Sequence, residues 1–288
     1  MSLAEQIKKE AFGKGVKIQN SEAAKLEKIL NKMFYLEKNI DKETDFIRQV
    51  MTRGQDSEER IGLHASAMIV SDNAFCVRQQ VLSLLYRQRQ GEQTEIGLKR
   101  IFEEGNAIHE KWQRLFLRAG YTNVKGCDFT KYDKDYELTF TPDVQLCIPE
   151  FFEGKMVCEI KSVNTFQFKN LTKQHPSGGK QMQFYMYLLQ KRLKDQGKWN
   201  GIDYTKGFVL CDDKNTQDFK VFVEDYDPMI VAPFIERLEQ VQYYKNRVIE
   251  ENKMVSRCKG CNKPNCKTAE KCPMRDACYN VGMGKVRI

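Results

Sequence analysis

The sequence predicts an α/β protein, with a mixed central sheet flanked by helices, a helical N-terminal elaboration ahead of it and a cysteine-rich region behind it. Three observations carry that expectation. Apolar residues recur at helical spacing through roughly the first 120 positions. From 136 onward, β-branched and aromatic residues gather in short runs bounded by turn residues. Finally, five cysteines fall within positions 258–278. A chain of 288 residues, 41% hydrophobic, can fill a substantial core. No cleavable leader and no run of eighteen apolar residues is evident, so a cytoplasmic home is expected.

The elements follow in order. Leu26, Ile29, Leu30, Met33, Phe34 and Leu36 share a helical stripe after Ser21, a plausible N-cap. QDSEERIG, 55–62, reads as a linker. SDNAFCVRQQVLSLLYRQRQ then reads as a helix entered through Ser71 or Asp72, with Leu82, Leu85 and Tyr86 facing the core. A third helix, roughly 97–119, carries Ile108, Trp112, Leu115 and Phe116 on one stripe and places His109 beside it. YELTFTPDVQLCI and GKMVCEIKSV are strand-like runs that PEFFEG would close into a hairpin. A polar loop with KQHPSGGK precedes a helix from near Lys180. Strands at GFVLCDD and DFKVFVED follow, and a helix from about Pro228 to Glu251 completes the series.

The hairpin is where acidic chemistry is expected. Closing it sets Asp143 beside Glu159 on adjacent strands, and Glu159 and Lys161, two apart, project from one face. Two carboxylates and an amine then converge, a donor set suited to Mg²⁺ or Mn²⁺ at a scissile phosphate. The letters alone do not decide, since a salt-bridged strand pair reads the same way. His64 and His175 match no motif and are expected at the surface.

The block PDVQL, then EIKSV, then a helix beginning QMQFY resembles the PD-(D/E)xK nuclease superfamily. Gln181 and Tyr185 are similar to the Q-x3-Y element of its RecB-type branch, and Gly105 to His109 fits that branch's upstream G-x3-H. The resemblance covers about 70–278. It implies a restriction-endonuclease-like core in which His109, Asp143 and Glu159 ligate the metal with the backbone carbonyl of Ile160. It also implies that Lys161 is the catalytic lysine, and that Gln181 and Tyr185 position the substrate or the site.

Ten cysteines in a reducing compartment argue against a disulfide framework and for clustered metal ligands. Cys258-x2-Cys261, with Cys266, Cys272 and Cys278, offers enough sulfur for a structural Zn²⁺ site by spacing alone. A subset of RecB-type nucleases, including the AddB subunit of bacterial recombination complexes and the exonucleases of CRISPR adaptation, carries one cysteine before the nuclease motifs and three after them. Those four hold a 4Fe-4S cluster. By that resemblance Cys76 is the upstream ligand, Cys272 and Cys278 are the final pair, Cys258 or Cys261 supplies the fourth, and Cys266 is the spare. The sequence departs from the family's usual C-P-R-R start, reading CVRQQ. Cys127, Cys147, Cys158 and Cys211 lie in or near strand-like runs and are expected to be inert core residues.

Charge is concentrated in the same region. Residues 252–288 hold nine Lys or Arg against two acids, a net of +7 within a chain total of +8, which favours a polyanionic partner. The expected organisation is an N-terminal elaboration at 1–60, a nuclease core at 61–251 and a basic cluster region at 252–288 completed by Cys76. The expected function is a Mg²⁺- or Mn²⁺-dependent deoxyribonuclease, acting as an exonuclease on single-stranded or end-bearing DNA, in recombination, repair or phage DNA processing. The N-terminal helices are candidates for docking a protein partner. A non-catalytic nucleic-acid-binding or assembly protein with the same fold, and an RNA- or structure-specific nuclease, are the rival expectations.

Overall fold

A computed structural model of the chain describes residues 19–37, 40–53, 62–86, 96–127, 129–172, 175–258, 260–261 and 263–280. Its helices are α1 (Gln19–Met33), α2 (Ile40–Arg53), α3 (Ala65–Met68), α4 (Val77–Tyr86), α5 (Ile96–Ala119), α6 (Thr165–Asn170), α7 (Pro176–Asp195), α8 (Pro228–Glu251), α9 (Lys267–Glu270) and α10 (Arg275–Asn280). Its strands are β1 (Leu63–His64), β2 (Lys131–Asp133), β3 (Leu138–Phe140), β4 (Val144–Ile148), β5 (Phe152–Val163), β6 (Lys206–Asp213) and β7 (Phe219–Asp225). They fall into two compact units. The first comprises residues 1–56, 94–130 and 141–231, and the second 57–93, 131–140 and 232–288. Most of the linker expected at 55–62 lies outside the described residues.

The first unit holds the mixed sheet, in the order β4-β5-β6-β7. β4 and β5 form the expected antiparallel hairpin, β5 and β6 are parallel, and β6 and β7 are antiparallel. The parallel step is bridged by α6 and α7. This is the mixed α/β sheet with flanking helices that the sequence predicts. β6 is almost wholly buried, as is β5 from Met156 to Ile160, and alternate residues meet different layers. Lys161 and Val209 lie against α7 at Gly178, whereas Phe208 and Asp212 lie against Phe116 and Trp112 of α5.

The helix α1 is integral to this core. Leu26 and Leu30 are fully buried and Met33 is 1% exposed, in one cluster with Trp112, Phe116, Phe208 and Leu210. Each such side chain removed from water contributes about 1.5–3 kcal/mol. Phe34 and Leu36, past the end of α1, are largely exposed despite fitting its stripe. Trp112 is itself fully buried, and its indole N–H donates to Asp212 Oδ2 at 2.7 Å. Lys111 Nζ reaches the same oxygen at 2.5 Å, so the buried carboxylate is neutralised.

Two boundaries differ from the sequence expectation, each for a local reason. YELTFTPDVQLCI is two strands in separate sheets, because Pro142 has no N–H to give a ladder and breaks the run between β3 and β4. α7 begins at Pro176 rather than near Lys180, since proline is well suited to the first helical turn, where no amide partner is needed.

In the second unit β3 is central, parallel to β1 and antiparallel to β2. Gly62 leads into β1 with φ +84°, and a Cβ there would stand 2.1 Å from the Glu137 carbonyl, so only glycine fits. Arg237 of α8 is 8% exposed and ties down the 68–75 segment. It donates to the carbonyls of Met68 and Val70, pairs with Asp72 and stacks over Phe75. α4 begins at Val77, later than Ser71 or Asp72, because Ser71 instead closes a turn through its carbonyl to Ala74 and Phe75. Among its side chains Val81, Leu82 and Leu84 are buried, while Leu85 and Tyr86 are half-buried. No described helix is long and apolar enough to cross a membrane.

Candidate functional site

The first site is built at one end of the β4–β5 ladder. The last paired position is Val144 with Cys158, which leaves Asp143 opposite Glu159 one step further on. Asp143 is held there from two sides: its Oδ2 accepts from the Ile160 amide at 2.7 Å, and its carbonyl accepts from Gln113 of α5 at 3.0 Å. The 24-residue helix α5 also delivers His109, whose Nδ1 lies 3.5 Å from Asp143 Oδ1.

Glu159 is fully buried, and Lys161 Nζ donates to its Oε1 at 2.6 Å. The same ammonium donates to Gln181 Oε1 at 3.3 Å, and Gln181 Nε2 donates to the Tyr185 hydroxyl at 3.0 Å. Burial pulls the Lys161 ammonium down, but the adjacent Glu159 and Asp143 carboxylates outweigh it and hold the group above its ordinary value. The same two carboxylates, after burial itself, push the Cys158 thiol well up, so it is an inert neighbour rather than a nucleophile.

His109, Asp143, Ile160, Glu159, Lys161, Gln181 and Tyr185 thus form one continuous set within the first unit. Two positions outside the motif contribute to it. Gly178 lets α7 approach, since a Cβ there would meet Val209 Cγ1 at 3.1 Å and Lys161 Cγ at 3.2 Å. Its place two residues after a proline was the available signal. His175 caps α7, with Nδ1 3.0 Å from Ser177 Oγ, and burial and then the charge of Lys161 lower its pKa. Two carboxylates, 7% and 0% exposed, face a single lysine, and an imidazole stands beside them. This hard oxygen and nitrogen donor set fits a divalent cation of the Mg²⁺ or Mn²⁺ type.

The second site lies wholly in the second unit. Cys76, Cys258, Cys261, Cys272 and Cys278 line one small cavity, and among the described residues no carboxylate or histidine lines it with them. Cys76 precedes α4, Cys258 and Cys261 close a turn, and Cys278 lies on α10. The thiols of Cys76 and Cys261 both lie beside that of Cys258. Burial, followed by the neighbouring sulfurs, pushes Cys76 up to about 11 and Cys261 up to about 12. All ten cysteines are free of disulfides. Cys266 is absent from the cavity lining. It caps α9 instead, where its sulfur accepts from the Ala269 amide at 3.3 Å and contacts the Gly260 carbonyl at 3.0 Å.

An all-sulfur donor set with basic neighbours fits a thiolate-bound metal centre. The basic neighbours, Arg78 and Arg257, were not singled out in the sequence, although Arg78 follows Cys76 by two positions. Of the other cysteines, Cys127, Cys158 and Cys211 are fully buried and Cys147 is partly so.

No family model matches the chain, and no curated protein matches it. Several solved structures are similar to it at low identity. LHK-Exo in complex with dAMP is 12% identical, over 67% of this chain and 92% of its own, with a TM-score of 0.42. An alkaline exonuclease (LHK-Exo) from Laribacter hongkongensis is 13% identical, over 66% of this chain and 90% of its own, with a TM-score of 0.39. The structure of SSO0001 is 10% identical, over 84% of this chain and 96% of its own, with a TM-score of 0.37.

Proposed function

We propose that the chain is a divalent-cation-dependent deoxyribonuclease of the PD-(D/E)xK type, acting as an exonuclease on single-stranded or end-bearing DNA. The observation that carries this reading is the convergence of His109, Asp143, Glu159 and Lys161 at the end of the β4–β5 ladder, in the order and spacing of that superfamily's motifs. His109, Asp143, Glu159 and the Ile160 carbonyl would hold the cation. When bound, the cation polarises the scissile phosphate and lowers the pKa of an attacking water.

The chain's own residues supply the rest. The Ile160 amide and Gln113 fix Asp143 in one orientation. Lys161, kept protonated by Glu159 and Asp143, offers a fixed positive charge where charge builds on the phosphate. Gln181 accepts from that ammonium on the α7 side and is itself held by the Tyr185 hydroxyl. The basic 252–288 region provides sequence-independent attraction for a phosphate backbone.

We further propose that Cys76, Cys272 and Cys278, with Cys258 or Cys261, hold a 4Fe-4S cluster. The support is the all-sulfur cavity, which joins Cys76 to cysteines about 180–200 positions later. Such ligation would contribute folding energy to the second unit.

The test is a substrate panel of end-labelled single-stranded DNA, duplex DNA and RNA, incubated with wild type and Asp143→Asn in Mg²⁺, in Mn²⁺ and in EDTA. The reading predicts cation-dependent shortening of DNA from its ends by wild type alone, with DNA binding kept in the variant. Cutting that is equal in both proteins, or that persists in EDTA, sinks the catalytic assignment. Degradation of RNA in preference to DNA sinks the substrate assignment.

A further inference from the structure

Arg78 occupies the first turn of α4 and is 1% exposed. Its Nε–H donates to Cys278 Sγ at 3.1 Å. Its Nη1 donates to the Val255 carbonyl at 2.6 Å, and its Nη2 to the Cys278 carbonyl at 3.1 Å. None of these acceptors is a carboxylate. Arginine does not give up its proton, and a buried guanidinium needs compensating negative charge. Arg257 stands at the same wall. Its Nη2 donates to the Cys278 carbonyl at 3.2 Å, its guanidinium lies 4.5 Å over the Tyr279 ring, and its buried Nε has no hydrogen-bond partner. Three arginines therefore line a cavity whose potential anions are sulfurs, and among the described residues only the third, Arg275, has a carboxylate partner, Asp276 at 3.1 Å.

We propose that Arg78 is the built-in counter-charge of the sulfur site and a positioning residue for its metal. Its Nε–H bonds the Cys278 sulfur in the thiolate form, and its other two donors pin the 255–278 segment to α4. The inference rests on the reading of these cysteines as metal ligands. A metal centre bound by four thiolates is net negative, so a dry cation at hydrogen-bond distance favours the intact centre over the dissociated one. For an iron-sulfur cluster it also favours the reduced, more negative state. Without Arg78 the centre should release metal faster and be harder to reduce.

The experiment uses the full chain, purified without air, as wild type, Arg78→Met and Arg78→Lys. It measures iron, sulfide and zinc per chain, the half-time of metal loss to a chelator, and the midpoint potential followed by visible absorbance. Arg78→Met is expected to lose metal roughly tenfold faster or more, the scale of one charge-assisted hydrogen bond. Its potential is expected to fall, about 59 mV for each tenfold change in the ratio of oxidised to reduced cluster in a one-electron couple. Arg78→Lys, which keeps the charge and loses the fork, should lie between.

A loaded Arg78→Met chain with wild-type release and potential overturns the role of Arg78 and leaves the cluster reading standing. A wild-type chain holding zinc and no iron overturns the cluster reading. In that chain, equally fast release from the Met and Lys variants overturns the role of Arg78, because shape rather than charge would then govern retention. A wild-type chain that holds neither metal overturns both. Should Arg78→Met fail to fold, the neutral Arg78→Gln carries the test, and wild-type release and potential in that variant overturn the inference.

Discussion

Replacing Lys161 by Met probes the candidate active site at its charged centre. The ammonium is 22% exposed, its partner Glu159 is fully buried, and the two are joined by a 2.6 Å charge-assisted hydrogen bond. Methionine keeps most of the stem packed against Gly178 and removes only the charge and its donors. Stranding a buried carboxylate costs about 3–5 kcal/mol if it stays ionised, and it escapes part of that cost by taking up a proton. The destabilisation should therefore be largest at high pH and shrink on acidification.

The wild-type pair behaves differently. The folded Lys161 pKa lies above its ordinary 10.5, so its contribution is complete at neutral pH and is lost only as pH rises through the folded value. In catalysis, removing one fixed cation from the developing phosphate charge should lower kcat about 10²–10³-fold. The assay pairs urea unfolding at several pH values with single-turnover cutting of labelled DNA in Mg²⁺. A folded Lys161→Met chain that cuts within tenfold of wild type would refute the role of Lys161. Stability effects of Glu159→Gln and Lys161→Met that simply add in a double-mutant cycle would refute the coupling.

Three other outcomes are expected. Trp112→Phe takes one of the two donors from fully buried Asp212 and should destabilise the first unit by about 1–3 kcal/mol, read from the midpoint of urea unfolding. Gly178→Val places atoms against Lys161 and Val209 and should depress cutting while the metal content of the second unit stays at the wild-type level. Cys266→Ser should keep the wild-type metal content, whereas Cys76→Ser should lose metal and lower the thermal midpoint. Elemental analysis with a melting curve checks both.

The central hairpin was legible because alternation and β-branching mark TPDVQL and CEIKSV strongly, and because the two-residue period alone puts Glu159 and Lys161 on one face. α5 and α7 were legible from period, and α8 from period and from Pro228, while the proline that starts α7 went unread. What was hidden depends on partners distant in sequence. Nothing local shows that Arg237 will be buried against Met68, Val70 and Asp72, or that Arg78 will meet Cys278 two hundred positions later. The division of YELTFTPDVQLCI between two sheets could have been read from Pro142, which removes a ladder donor. The stripe on α1 marked a packing face, but its burial against Trp112 and Phe208 required the sheet to be in place. The cysteines illustrate the same limit. Spacing supplied candidates and the family resemblance set Cys266 aside, while the fold shows where it goes, capping α9 away from the five around the cavity.

The proposed sharing of one divalent cation by His109, Asp143 and Glu159 is tested most directly by titrating Mn²⁺ into the wild-type chain and into Asp143→Asn and Glu159→Gln, with free Mn²⁺ followed by its paramagnetic resonance signal. The expected result is a site in wild type that Mg²⁺ competes for and that both variants lose. Mn²⁺ bound equally well by wild type and both variants would contradict it.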